Sequence, residues 1–319
     1  MIGGADAPPE VAALVDAYAA MLRIRRFEEA VQRHFLAGHV HGTTHLCNGQ
    51  EAVAVGCARA REPDDVLAAT YRGHGHALAA GTDMEGLAAE LMGRASGTNG
   101  GRSGSMNVID REHGLLGCFG IVGGTLATAT GAALALRGSG RVAVAFFGEG
   151  AANQAYFAEC LNFARVFALP ALFVCENNLY GEYTPWEQVT AGTDLCARVR
   201  AYDIPAAQVD GNDVRAVEHA ARTALDGVRT GDGPAFVECR TYRFVGHSRS
   251  DPAAYRKPGE LERWRERDPL RLARAALRDE HGLPDGELDG LDTHAAAEVE
   301  ACWAAALAEP FPEPEAARA

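Results

Sequence analysis

The chain has 319 residues, 47% of them hydrophobic, which is enough to bury one large core or two modest ones and excludes a small stapled scaffold. Its formal charge of -13 excludes nucleic acid or an anionic membrane surface as the main partner, because either needs a basic stripe that releases counterions. Eight cysteines, at 47, 57, 118, 160, 175, 196, 239 and 302, show no Cys-x-x-Cys spacing and read as free, mostly buried thiols of a reducing cytoplasm.

In chain order, "MIGGADAPPE" lacks the basic and apolar regions of a signal peptide. From Val11 to Leu36, the residues Leu14, Tyr18, Met21, Ile24, Phe27, Val31 and Phe35 recur every three or four positions, which predicts one face of a long helix. The arginines of this stretch, Arg23, Arg25 and Arg26, read as ion pairs or a solvated face. Next come short apolar runs, "VLAA", "VAVAFF", "ALFVC", "AAQV" and "AFVEC", separated by helical stretches over Asp83 to Arg94, Ala152 to Phe167 and Asp213 to Arg229. That alternation predicts an α/β fold with a mostly parallel sheet. "VAVAFF" has no polar alternation, so both faces of that strand are expected to be covered. "GIVGGTLATATGAALAL" is too rich in Gly, Thr and Ala to span a membrane and reads as a tightly packed buried helix with its entry loop. A long polar stretch, "YRFVGHSRSDPAAYRKPG", precedes amphipathic helices from Glu260 to Leu307 broken at Pro269, Gly282 and Pro284. The final "EPFPEPEAARA" is expected to be loose.

Chemistry concentrates in "FFGEGAANQ". Glu149, between Gly148 and Gly150 at the end of an apolar run, falls at the carboxyl end of a parallel strand and beside a helix N-terminus, where ligands of open α/β sheets bind. Taken alone, Gly-Glu-Gly is a tight turn with a first-turn charge. However, the next strand ends in "ENNLYG" after the 26 residues 151 through 176, the length of one helix and one strand, so Glu149 and Asn178 are expected to face each other. A carboxylate, an amide oxygen and a backbone carbonyl suit Mg²⁺, and a helix N-terminus suits phosphate. The residues thus describe a site for a magnesium diphosphate without naming the organic group.

From about Ala20 to Leu272 the ordered motifs "THLCNGQEAVAVG", "TYRGHGHAL", "GRSGSMN", "GIVG", "FFGEGAANQ", "ENNLYG" and "TYRFVGHSRSDPAAYR" resemble the alpha subunit of the thiamine diphosphate-dependent decarboxylating component of 2-oxo acid dehydrogenase complexes, of the pyruvate or acetoin type. The resemblance implies a thiamine diphosphate-binding fold over residues 41–256, with the active-site loop at 243–256 and helical extensions at 1–40 and 257–319. It implies that Glu149, Asn178 and the main-chain oxygen of Tyr180 ligate Mg²⁺. Tyr71, Arg72, Gly120, Val122, Gly148, Gly150, Ala151, Asn178, Arg243 and His247 would bind the cofactor. Guanidinium forks suit phosphate oxygens. His45 and His247 would be catalytic, as neutral imidazoles that shuttle protons. His39 and His41 have no implied role, and His74 and His76 would support the pocket. Ser248 stands where mitochondrial relatives carry a regulatory phosphorylation site.

The reaction implied is decarboxylation of a small 2-oxo acid, or cleavage of acetoin, with acyl transfer to a lipoyl group. The chain would work with a beta subunit as an α2β2 assembly and meet the lipoyl domain of an acyltransferase. Departures cluster near the substrate. Asn107 replaces a histidine, Cys118 and Phe119 replace small and Asn-type residues, and Ala127 replaces a proline. His45, Asn107 and Phe119 are expected to wall the substrate pocket. These departures keep a second reading open, two-carbon transfer from a ketose-type donor to a carrier protein, and a third, a non-catalytic alpha-like regulatory subunit.

Overall fold

The computed structural model describes residues 8–314. A long helix, α1 (Pro9–Leu36), leads through α2 (Glu51–Ala60) into β1 (Val66–Thr70). Helices α3 (His74–Ala80) and α4 (Met84–Leu91) and a glycine-rich loop precede β2 (Leu115–Phe119), α5 (Gly124–Ala135) and β3 (Ala143–Gly148). A 3-10 turn over Glu149–Asn153 then opens onto α6 (Ala155–Val166) and β4 (Ala171–Asn177). The two-residue strands β5 (Tyr180–Gly181) and β6 (Thr184–Pro185) form a small hairpin, followed by α7 (Trp186–Val189), α8 (Leu195–Arg200), β7 (Ala206–Asp210), α9 (Val214–Gly227) and β8 (Ala235–Arg240). The last three helices are α10 (Glu260–Arg265), α11 (Pro269–Asp279) and α12 (Asp285–Ala308).

Aspartates set several of the helix starts by giving a carboxylate oxygen to orphan amides of the first turn: Asp83 accepts from Gly86 N, Asp194 from Ala197 N, and Asp268 from Leu270 N. The expected break at Pro269 is therefore a capped helix start, with proline at a position whose missing N–H costs nothing.

Six strands form one parallel sheet in the order β2-β1-β3-β4-β8-β7. Its central strand, β3, is buried on both faces. Phe146 enters the core layer shared with α2, α9, α1 and α12, and Phe147 enters the opposite layer under α5, α6 and α8. The chain moves from β1 out to β2, then crosses back to lay β3 on the other side of β1. The crevice beyond the carboxyl ends of β1 and β3 is thus a switch point in strand order, where helices on opposite faces leave room for a ligand.

The helical extensions are continuous with this core. Phe27 and Val31 of α1, with Val299 and Trp303 of α12, pack in the same cluster as the sheet residues Leu67 and Val144. Leu14, Met21 and Ile24 pack instead with Ala273, Leu277 and Leu288 of the terminal helices.

One strand was unread in the sequence, and two expectations need correction. The run "LLGCF" is a strand, β2, whose short glycine-containing pattern gave no β signal. Helix α5 is buried on one side only: Leu126, Ala129 and Ala133 pack inward, while Ala127, Gly131 and Leu134 are exposed. The tail is tethered as far as Pro310, because Arg94 donates to Glu309 O and Ala95 N to Pro310 O, both at 2.9 Å, while the Phe311 ring under Arg94 stays exposed. Residues 315–319 of the expected loose end lie outside the described residues, as do residues 1–7 at the start.

Candidate functional site

The crevice holds a cavity of about 420 Å³ lined from four strand ends and the long loop after β8. β1 delivers Tyr71 and Arg72, β2 delivers Phe119 and Gly120, β3 delivers Gly148 through Ala151, and β4 delivers Glu176 and Asn178. The loop after β8 brings Arg243 and His247. That loop lies against residues 44–49: Phe244 N donates to Asn48 O, and Arg249 N donates to Thr44 O. Gly49 permits the approach, since a Cβ there would meet Tyr242 O at 2.4 Å.

Glu149 is 1% exposed. Its Oε2 accepts from the backbone N–H of Asn178 at 3.0 Å, which joins the ends of β3 and β4. Burial raises its pKa, an effect that backbone N–H groups and Arg243 only partly offset. The two asparagines divide the work. Asn177 turns into the sheet, donating to Glu238 Oε1 at 2.7 Å and accepting from Leu179 N. Asn178 lines the cavity, and its Oδ1 is buried without a hydrogen-bond partner. Between Asn178 and Tyr180 the chain takes a left-handed turn at Leu179, with φ 75°, a conformation that non-glycine residues hold only under outside constraint. Gly150 lies against the hairpin: a Cβ there would sit 3.4 Å from the Cα of Gly181.

Two cations face this acidic end. Arg72 is 5% exposed and donates to Leu46 O and, at 2.8 Å, to His247 O. Arg243 is 2% exposed, donates to Glu182 O at 2.8 Å, and keeps its Nη1 buried without a partner. Burial, then the neighbouring Arg243, lowers the Arg72 pKa to about 10. The rings of His45 and His247 lie 5.0 Å apart. Burial first and Arg72 next push both imidazoles down to about 3, so both are neutral at pH 7. His45 Nδ1 is also buried without a partner.

A partnerless amide oxygen beside a buried carboxylate asks for a cation, and two buried guanidiniums across the same cavity ask for an anion. The donor set therefore fits an oxygen-ligated metal with a phosphate ester, and Gly150 leaves backbone room beside it.

Of the residues singled out in the sequence, His45, Tyr71, Arg72, Phe119, Gly120, Val122, Gly148, Glu149, Gly150, Ala151, Asn178, Tyr180, Arg243 and His247 all line this cavity. Asn107 does not. It is exposed on the glycine-rich loop just after a turn at Ser105 and Met106, and its neighbour Met106 takes the wall position. Sequence reasoning also passed over Gln50 and Glu176. Gln50 Nε2 donates to Glu176 Oε1 at 3.3 Å, and His76 Nε2 lies 3.4 Å from the same oxygen. An acid near the end of an all-buried strand was the available signal for Glu176. His74 is buried away from the cavity, and His39 meets His34 rather than His41. Among the described residues no group of three or more His, Cys, Asp or Glu is arranged to hold a metal.

A model of the family described as dehydrogenase E1 component matches residues 19–315. The chain is 44% identical over 256 residues, 79% of its length and 77% of the relative's, to the alpha subunit of acetoin:2,6-dichlorophenolindophenol oxidoreductase of Bacillus subtilis (strain 168). It is 43% identical over 279 residues, 86% of its length and 80% of the relative's, to the pyruvate dehydrogenase E1 component subunit alpha of Rhizobium meliloti (strain 1021). A second acetoin:2,6-dichlorophenolindophenol oxidoreductase alpha subunit, from Cupriavidus necator, is 39% identical over 311 residues, 97% of this chain and 93% of that one.

Proposed function

The chain belongs to the dehydrogenase E1 component family as an alpha-type subunit in thiamine diphosphate-dependent 2-oxo acid decarboxylation, and from that premise we propose how its own residues serve the reaction. Glu149, Asn178 and the main-chain oxygen of Tyr180 hold Mg²⁺. The observation that carries this reading is the buried, partnerless Asn178 Oδ1 beside a carboxylate whose charge the protein alone leaves poorly compensated.

Arg72 and Arg243 neutralise the diphosphate, and Gly150 and Ala151 offer it amides at the start of the 3-10 turn. The bound thiamine diphosphate supplies the electron sink for loss of carbon dioxide from the 2-oxo acid. His45 lines the cavity as a neutral imidazole, a form that can hold or release a proton there. His247 stands beside it at the loop where an acyl acceptor enters. Phe119 and Met106 give the wall its apolar bulk.

The alpha subunit works with a beta subunit, and we read the assembly as α2β2, with a lipoyl domain as acceptor and the 41–256 segment as the cofactor domain. The eight thiols, free in the structure, fit a reducing cytoplasm. No helix among the described residues is long and apolar enough to cross a membrane.

The substrate is a short donor. Phe119 narrows the wall, and one added methylene shifts preference on the order of tenfold. The test is a panel of pyruvate, 2-oxobutyrate, acetoin and 3-methyl-2-oxobutyrate, assayed with the beta subunit by reduction of an artificial electron acceptor. Highest specificity for pyruvate or acetoin supports the reading. Highest specificity for the branched acid refutes the assignment of the pocket.

A further inference from the structure

Three segments that furnish cavity residues meet at a point outside the cavity, and one carboxylate joins them. Glu28 of α1, 0% exposed, accepts from Cys47 N at 2.9 Å through Oε1 and pairs with His74 Nδ1 at 2.9 Å through Oε2. The other ring nitrogen of His74 lies 2.8 Å from Ser105 Oγ. His45 precedes Cys47 by two residues, Arg72 precedes His74 by two, and Met106 follows Ser105; all three line the cavity.

A second buried acid steadies the same loop. Glu90 of α4, also 0% exposed, accepts from Asn99 N, Gly101 N, Ser103 N and Oγ, and Gly104 N. Five donors on one carboxylate fix the loop up to residue 104, and the imidazole takes over at residue 105.

Hydroxyl, imidazole and carboxylate stand here in the order of a hydrolase triad. Ser105 is 4% exposed, however, and is not part of the cavity wall, so its hydroxyl does not reach a substrate. What the chain can do is transmit position. Burial pushes the Glu28 carboxyl up, but His74 and the Cys47 N–H outweigh it and hold the carboxyl below its ordinary range, so the acceptor end of the chain is ionised at neutral pH.

We propose that Glu28, His74 and Ser105 are positioning residues that set Met106 against His45 and Arg72 across the cavity and thereby fix the fit of the 2-oxo acid. The proposal rests on the reading of the cavity as the substrate site. In the complex with the beta subunit, Ser105→Ala is expected to raise KM for the 2-oxo acid about tenfold, the worth of one buried hydrogen bond, with kcat within about twofold. Amide hydrogen exchange across residues 105–107 should quicken about tenfold, while residues 99–104, held by Glu90, and the sheet keep their protection. Ser105→Thr, which retains the hydroxyl, should restore both values. Wild-type KM and wild-type exchange in Ser105→Ala would overturn the proposal. The exchange measurement needs no turnover, so a wild-type complex that decarboxylated no 2-oxo acid would sink the reading of the function while the tether was still being read on its own.

Discussion

Two buried glutamates, Glu51 and Glu149, sit in opposite kinds of surroundings. At the junction of α1, α2 and the α11 cap, Glu51 receives the guanidinium of Arg25 at 2.5 and 3.1 Å and the amide of Gly49 at 2.9 Å. Arg25 in turn reaches Asp268 at 3.0 Å. Burial alone would lower the Arg25 pKa, but the two carboxylates raise it, so this arginine stays charged within its own partners. At the carboxyl edge of the sheet Glu149 has a backbone donor and no ion pair, Asn178 Oδ1 has nothing, and Leu179 is left-handed. The first region has its charges paired as folded; the second leaves a buried acceptor unpaired, as the proposed metal site requires. A protein keeps a site of this second kind where function requires it, and its cost is offset by stability elsewhere.

Substitution at the two acids separates the regions most sharply. Glu51→Gln should destabilise the cofactor-free protein by about 3 kcal/mol, because Arg25 is left buried and only half-compensated. Glu149→Gln should change the same melting transition by less than about 1 kcal/mol, since it removes a charge that burial already disfavours. The pH dependence does not separate the two acids, because burial raises both carboxyls, in Glu51 against the opposing pull of Arg25. A carboxyl whose folded pKa is raised weakens the fold above that pKa, and the loss is relieved as pH falls through it. A large loss of stability in Glu149→Gln would break the comparison.

The neighbouring asparagines offer the same contrast on a smaller scale. Asn177→Ala should cost about 1 kcal/mol by removing the acceptor of Leu179 N and one donor to Glu238. Asn178→Ala should leave the melting temperature within error and weaken cofactor retention about tenfold or more. Equal effects in thermal melts and cofactor titrations would show that both residues merely shape the turn.

The histidines carry the contrast into pH. His45 and His247 lie near 3 in the folded chain against an ordinary 6.5, so between those values the unfolded chain binds protons that the folded one refuses. Stability should therefore fall as pH drops from 6.5 toward 3. Thermal melts of the cofactor-free protein at pH 7 and pH 5 should show a smaller loss in the His45→Asn, His247→Asn variant than in the wild type. Identical losses would place both rings in solvent.

The parts of the molecule legible in the sequence were those governed by local pattern. Apolar runs bounded by helices marked β1, β3, β4, β7 and β8, and the spacing from Glu149 to Asn178 put both at one sheet edge because one helix and one strand span a fixed distance. β2 was not legible, since "LLGCF" is short and broken by Gly117, and its identity as a strand comes from pairing with β1. Which side of the glycine-rich loop faces the cavity was beyond any pattern. It is decided by Glu90 and His74, residues from two other helices, and the result puts Met106 on the wall and Asn107 outside. The tether at Glu309 and Pro310 was hidden for the same reason: its partners, Arg94 and Ala95, are far away in sequence.

The central claim is that Glu149 and Asn178 form half of a metal site that only a bound diphosphate completes. Calorimetric titration of thiamine diphosphate into the alpha–beta complex, with and without Mg²⁺, tests it most directly when wild type and Glu149→Gln are compared at equal folded fraction. Binding in the wild type should require Mg²⁺, and Glu149→Gln should lower the affinity at least about tenfold while the Mg²⁺ dependence fades. Unchanged affinity with unchanged Mg²⁺ dependence in Glu149→Gln would contradict the account.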